Sequence, residues 1–156
     1  MGLLLVVRLR GSPDRRPEEE KALSLLRLHK PYHAVLLRDT PDVRGMLKRT
    51  LENVVTYGEP DKDTLVELLR KRGRIAGNKP LTEDYLKTLG FSSFEELADA
   101  LLAGKISPED IPGLKPVFRL RPPSGGFRGT LRKNIGAGGE CGYRGSRINE
   151  LVRRMI

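Results

Sequence analysis

The stretch Leu3-Leu-Leu-Val-Val7 is five consecutive apolar residues, followed at once by Arg8-Leu-Arg10 and then by Gly11-Ser-Pro13. A run of that length, closed by turn residues, reads as one buried strand. Arg8 and Arg10 stand two apart, so they leave an extended chain on the same face. Gly11 and Pro13 end the strand, and Arg15 and Arg16 follow on the turn. A core strand thus hands the chain directly to four arginines. The rest of the sequence is expected to pack on that strand and to bring further cations to that cluster.

The next elements supply the packing. Pro17 to Leu28 reads as a helix, with proline in its first turn and Glu18, Glu19 and Glu20 at its positive end. Residues 28–33 form a loop with a basic tip at His29 and Lys30, and 34–38 a second strand. Thr40-Pro41 opens a second helix as cap and first helical residue. There Val43, Met46, Leu47, Thr50, Leu51 and Val54 recur at helical spacing, and Arg44, Lys48 and Arg49 hold the opposite face. Gly45 inside that helix costs about 1 kcal/mol relative to alanine. It is either tolerated or there to admit another backbone, of protein or RNA. Residues 53–58 make a third strand. Strand, helix, strand, helix, strand is the order of an α+β sandwich.

Residues 59–113 read as a helical elaboration. Asp63 caps a helix ending at Arg72-Gly73, and Thr82 to Leu89 forms a short helix stopped by Gly90. Ser92-Ser-Phe-Glu95 reads as a capping box opening a helix that runs to Ala103, and Ser107-Pro108 starts one more turn. Residues 114–145 are rich in glycine and basic side chains and poor in core-sized ones, with a short strand at 117–121. The rest of that stretch is expected to be an extended arm ordered by what it binds. Ser146 is expected to cap a last helix, 146–156, that docks on the body through Ile148, Leu151, Val152 and Met155.

Charge separates these regions. The net charge is +9, with +4 on residues 1–58, +2 on 59–79, −5 on 80–113 and +8 on 114–156. A surface charged for solubility mixes signs, whereas zoning of this kind marks a face for a polyanion. Arginine outnumbers lysine, 19 to 10, and its planar fork suits phosphate oxygens. A membrane-binding helix would carry Trp or Phe opposite its basic face. The chain has no Trp, and its most basic segment is not helical. No apolar run approaches the ~18 residues of a membrane span, and Leu3 to Val7 is too short for a signal peptide's apolar region. The single cysteine, Cys141, permits no internal disulfide and no cysteine-based zinc site, which fits a reducing compartment.

Catalytic signals are weak. Gly136-Ala-Gly-Gly-Glu-Cys-Gly142 has Cys141 where a dinucleotide fingerprint needs glycine, and no Gly-Lys-Ser/Thr follows. His29 and His33 are separated by Pro31 and lack a neighbouring carboxylate cluster, so neither a metal nor a cofactor is expected. The cations are the informative residues: Arg8, Arg10, Arg15, Arg16, His29, Lys30, Arg44, Lys48, Arg49, Arg72, Arg74, Lys79, Arg119, Arg121, Arg128, Arg132, Lys133, Arg144 and Arg147. RNA is preferred to DNA because no recognition helix stands out. Aromatics make up 5%, too few for base stacking to dominate, so backbone and shape contacts are expected. On residues alone, a stand-alone RNA-modifying or nucleotide-using enzyme stays open as an alternative, and a DNA-packaging protein is a weaker third.

Residues 3–58 resemble the short bacterial large-subunit ribosomal protein family numbered thirty. The marks are Val7-Arg-Leu-Arg-Gly-Ser-Pro13, Leu25-Leu-Arg-Leu-His29 and Asp39-Thr-Pro-Asp-Val-Arg-Gly-Met46. The remainder resembles the long archaeal form of that family, numbered seven in eukaryotes, through Arg70-Lys-Arg-Gly-Arg74, Pro122-Pro-Ser-Gly-Gly-Phe127, Gly138-Gly-Glu-Cys-Gly142 and Asn149-Glu-Leu-Val-Arg-Arg-Met155. Absence of the long basic amino-terminal extension of eukaryotic members points to an archaeal protein, and the ribosomal resemblance implies a cytoplasmic location. Tyr143 departs from the pattern, which has a small polar residue there. The resemblance implies a βαβαβ core with an antiparallel three-stranded sheet, somewhat ferredoxin-like. It also implies binding to large-subunit ribosomal RNA near the small ribosomal RNA of the central protuberance, neighbouring ribosomal proteins as partners, and no catalysis.

Overall fold

The computed structural model describes the chain except residues 1, 12–15, 53, 76, 78, 108–110, 112, 116, 128 and 136–138, and gives backbone alone for 130–134. Its centre is β1 (Leu3–Arg8), whose six residues are all buried. β1 pairs antiparallel with β2 (His33–Arg38), Val6 opposite Val35, and with β3 (Val55–Gly58), Val6 opposite Tyr57. α1 (Pro17–Leu25) and α2 (Pro41–Arg49) connect these strands. This is the expected α+β core with an antiparallel three-stranded centre.

That centre is part of a wider sheet. β6 (Val117–Arg119) adds to the outer edge of β2, His33 opposite Arg119, and β8 (Gly139–Tyr143) adds to β3 in parallel, Thr56 opposite Gly142. With β7 (Thr130–Asn134) outermost, the order is β6-β2-β1-β3-β8-β7. The glycine-rich region is therefore more regular than an extended arm, because the exposed edges of β2 and β3 offer unpaired backbone groups that its short extended segments satisfy.

Alternation along β1 divides the core in two. Leu4 and Val6 pack with Ala22, Leu23, Leu47 and Leu51 of the α1–α2 side. Leu3, Leu5 and Val7 pack with residues of α3 (Lys62–Arg72), α4 (Glu83–Thr88), α5 (Phe94–Leu102) and α6 (Ile148–Met155). Full burial of each Leu or Val side chain contributes about 1.5–3 kcal/mol, so β1 anchors both layers. Both faces of β1 are consumed by packing. β4 (Arg74–Ile75) and β5 (Lys79–Pro80) form a separate two-stranded ribbon.

Helix ends follow local chemistry, with small displacements from expectation. Thr40 caps α2, accepting from the Val43 N–H at 3.2 Å. Asp61, not Asp63, caps α3, accepting from the Thr64 N–H at 2.8 Å. Ser93 caps α5, while Glu96 reaches back to the Ser92 N–H at 2.9 Å, one residue later than the box read from sequence. α1 stops at Leu25 because Arg27 adopts φ 63 and reverses the chain. Ser146 does not cap α6: it lies in a 3-10 turn, Gly145–Arg147, that leads into the helix. The turn expected at Ser107-Pro108 falls partly outside the described residues.

Candidate nucleic-acid interface

Strand direction decides which cations share a neighbourhood. β1 runs toward Arg8, β2 starts beside it at His33, and β6 ends opposite His33 at Arg119. α1 begins and ends at that same rim, and α2 runs toward it, since Val55 at the start of β3 pairs with Arg8. One end of the sheet thus gathers Arg10, Arg16, Arg27, His29, Lys30, Arg49, Arg119 and Arg121. All of these are exposed except Arg10, which is half-buried.

Within this rim a groove of about 440 Å³ lies along β2 and β6, lined by Arg27, His29, His33, Lys115, Val117 and Arg119. Its near wall is the α1–β2 turn. Leu28 is fully buried and its N–H donates to the Leu23 carbonyl at 2.8 Å, which leaves its neighbours Arg27, His29 and Lys30 exposed. Tyr32, also at positive φ, closes the turn by donating its N–H to the Arg8 carbonyl at 2.6 Å. Burial lowers the His33 pKa, and the positive charges of Arg119, Lys30, His29 and Arg8 lower it further. Its Nδ1 is buried without a hydrogen-bond partner among the described residues. The ring therefore gives up its proton more readily than an ordinary histidine, and an anion placed in the groove would favour the protonated form.

The far end of the sheet is self-neutralised. Arg44 donates from Nη2 to Asp39 at 2.7 Å and to Glu59 at 2.9 Å, and lies over the Tyr143 ring at 5.3 Å. The hydrogen bond from Arg44 holds the Asp39 carboxyl below its ordinary pKa. At Glu59 burial opposes ionisation, but hydrogen bonds from Tyr143 and Arg44 outweigh it. These same partners raise the Arg44 pKa.

The remaining sequence-marked cations divide by role. Arg8 is buried, 1% exposed, and does not face solvent with Arg10. It donates to the Leu28 carbonyl from Nη1 and to the Arg10 carbonyl from Nε, both at 2.7 Å. It holds the basic loop rather than displaying its own charge. The expectation that Arg8 joins a solvent-facing cluster is corrected on that ground. Arg144 is likewise turned inward, bonded to the buried Glu140 carboxylate and, at 2.7 Å, to Thr56. Arg74 contacts the Lys71 and Gly73 carbonyls, Arg72 is half-buried, and Lys48, Lys79 and Arg147 are exposed. Arg15 and Arg128, and the side chains of Arg132 and Lys133, lie outside the described residues. Arg27, His33 and Lys115 were not among the sequence-marked residues. The α1–β2 turn holds Arg27 and His33 together, and the pairing of β2 with β6 brings Lys115 to them.

Cys141 is buried in the core, away from both histidines' groove. Among the described residues no group of three or more His, Cys, Asp or Glu could hold a metal, and no helix is long and apolar enough to cross a membrane.

Residues 4–52 match the family described as ribosomal protein L30p/L7e. The large ribosomal subunit protein uL30 of Thermofilum pendens is 71% identical over the whole of both chains. The chain belongs to the uL30 family. Other uL30 proteins extend the likeness: that of Hyperthermus butylicus is 51% identical, covering 99% of this chain and 90% of its own, and that of Nanoarchaeum equitans is 45% identical over the full length of both. The family match stops within the βαβαβ region, but uL30 relatives carry the likeness through β6, β8 and α6. The added strands and helices are thus part of the family's long form.

Proposed function

We propose that this chain is a structural constituent of the large ribosomal subunit, in the cytoplasm, and that it binds and stabilises folded ribosomal RNA by phosphate and shape contacts. The observation that carries this reading is end-to-end similarity to proteins named for that subunit. The geometry supports it. With both faces of the central strand β1 covered, that part of the sheet gives base stacking no platform, and the cations on the rim are the groups placed to meet phosphates. We place its contacts with large-subunit RNA at the rim around Arg10, Arg16, Lys30, Arg49 and Arg119. We assign its position to the vicinity of the small ribosomal RNA of the central protuberance, beside other ribosomal proteins, as the family resemblance implies. It acts by binding, not by turnover.

Sedimentation of a native lysate in high salt tests the reading. The chain is expected in the large-subunit peak, cross-linked to RNA from the basic rim. Recovery only in the slow-sedimenting fraction would overturn it.

A further inference from the structure

Glycine at position 45 has no internal explanation. It lies mid-helix in α2, and a Cβ built there meets nothing within 4 Å. Gly58 is the contrasting case, where a Cβ would stand 2.0 Å from the Gly145 carbonyl oxygen. Glycine weakens a helix interior relative to alanine, so the fold gains nothing from Gly45. The missing side chain is the floor of a surface depression of about 360 Å³, lined by Pro41, Asp42, Gly45, Met46, Arg49 and Thr50. Positions 41, 45 and 49 share one helix face by four-residue spacing, and Lys48 adjoins them, three residues beyond Gly45. Lys48 and Arg49 are both exposed.

We propose that this depression seats the sugar-phosphate backbone of ribosomal RNA against the bare surface of α2 at Gly45, with Lys48 and Arg49 holding the phosphate. This rests on the RNA-binding function above. The occupant is RNA rather than protein because the lining is mainly polar, with Arg49 and Asp42 beside Thr50 and only Pro41 and Met46 as apolar surface, and the exposed Lys48 next to it tips the local charge positive. Protein interfaces deplete lysine and centre on apolar clusters. Binding energy at such a seat comes from approach distance, so a side chain of any kind at position 45 works against it.

The test compares the full chain with its Gly45→Ala, Gly45→Leu and Lys48→Ala/Arg49→Ala variants. Each is titrated with transcribed large-subunit ribosomal RNA of Thermofilum pendens across a salt series, and its thermal unfolding is followed without RNA. Gly45→Ala is expected to raise Tm by roughly 2–4 °C while weakening RNA binding severalfold. Gly45→Leu is expected to weaken it tenfold or more without changing the salt slope. The double cation variant is expected to flatten that slope by about 0.7–1.8. Undiminished affinity in folded Gly45→Ala and Gly45→Leu overturns the seat while leaving the ribosomal reading intact. Failure of the unaltered chain to bind overturns both. Normal RNA affinity of Gly45→Leu with its loss from assembled subunits would assign the depression to a neighbouring protein, and the RNA seat would be wrong.

Discussion

Tyr143 donates a hydrogen bond to Glu59 across 84 residues of sequence, its hydroxyl 2.6 Å from Oε1. The same ring tilts against Tyr57, with centroids 5.5 Å apart, and lies beneath Arg44. Tyr143 therefore clasps the end of β8 to the β3–α3 junction and to α2. Tyr143→Phe keeps the ring contacts and removes the bond. With Tyr143 and Glu59 partly solvated, it is expected to cost about 0.5–1 kcal/mol in denaturant titration, and Tyr143→Asn more, because the ring contacts go too.

Acid sensitivity follows from the same cluster. Asp39 and Glu59 have folded pKa values below their ordinary ones. Their contribution to stability is complete above the ordinary carboxylate range and is lost as pH falls through the depressed folded values. Arg44→Met removes the shared cation. The acid unfolding midpoint is expected to move to higher pH, read by circular dichroism.

His33 gives the opposite signs for fold and ligand. Its folded pKa is lowered, so the unfolded chain binds the proton more readily, and stability of the free protein declines as pH drops below about 6.5. A phosphate in the groove would favour the charged ring. RNA affinity is therefore expected to rise between pH 7.5 and 5.5, with proton uptake on binding. His33→Asn, with His29 intact, should remove most of that rise.

Arg8 and Arg119 separate holding from displaying. Arg119→Ala is expected to lower the salt slope of log affinity by about 0.7–0.9 and leave Tm unchanged. Arg8→Ala removes the donor to the Leu28 and Arg10 carbonyls, at roughly 1–3 kcal/mol for the buried Leu28 carbonyl alone. Thermal unfolding should register it strongly, while the salt slope of the protein that remains folded stays near the unaltered value.

Gly58→Ala probes the join between the two halves of the sheet. The added methyl collides with the Gly145 backbone, which cannot rotate away. A loss of about 1–3 kcal/mol is expected, with hydrogen exchange accelerating first in β8.

The core was legible because its signals are local. The apolar run at 3–7, the cap at Thr40 with Pro41, and the stripe through Leu47 and Leu51 each declare an element within a few residues. What was not legible depends on distant pairing. β8 contains Gly139, Glu140 and Gly142, poor strand residues on their own scale, and it extends because β3 offers an open edge. Burial of Arg8 was hidden for a related reason. Its spacing from Arg10 describes a face, but only the docking of α1 and Leu28 turns that face into interior. The groove residues Arg27 and His33 come from the α1–β2 connection and Lys115 from the approach to β6, more than eighty residues later, so no single window of sequence contains the site.

β8 completes an edge begun by β3 some eighty residues earlier, and α6 then helps to roof the layer beneath it. During synthesis, the segment that closes the sheet emerges well after the strands it must join. For that interval the nascent chain presents an unpaired β3 edge and part of an uncovered apolar layer. Until that segment arrives, the open edge is a template for pairing with another chain.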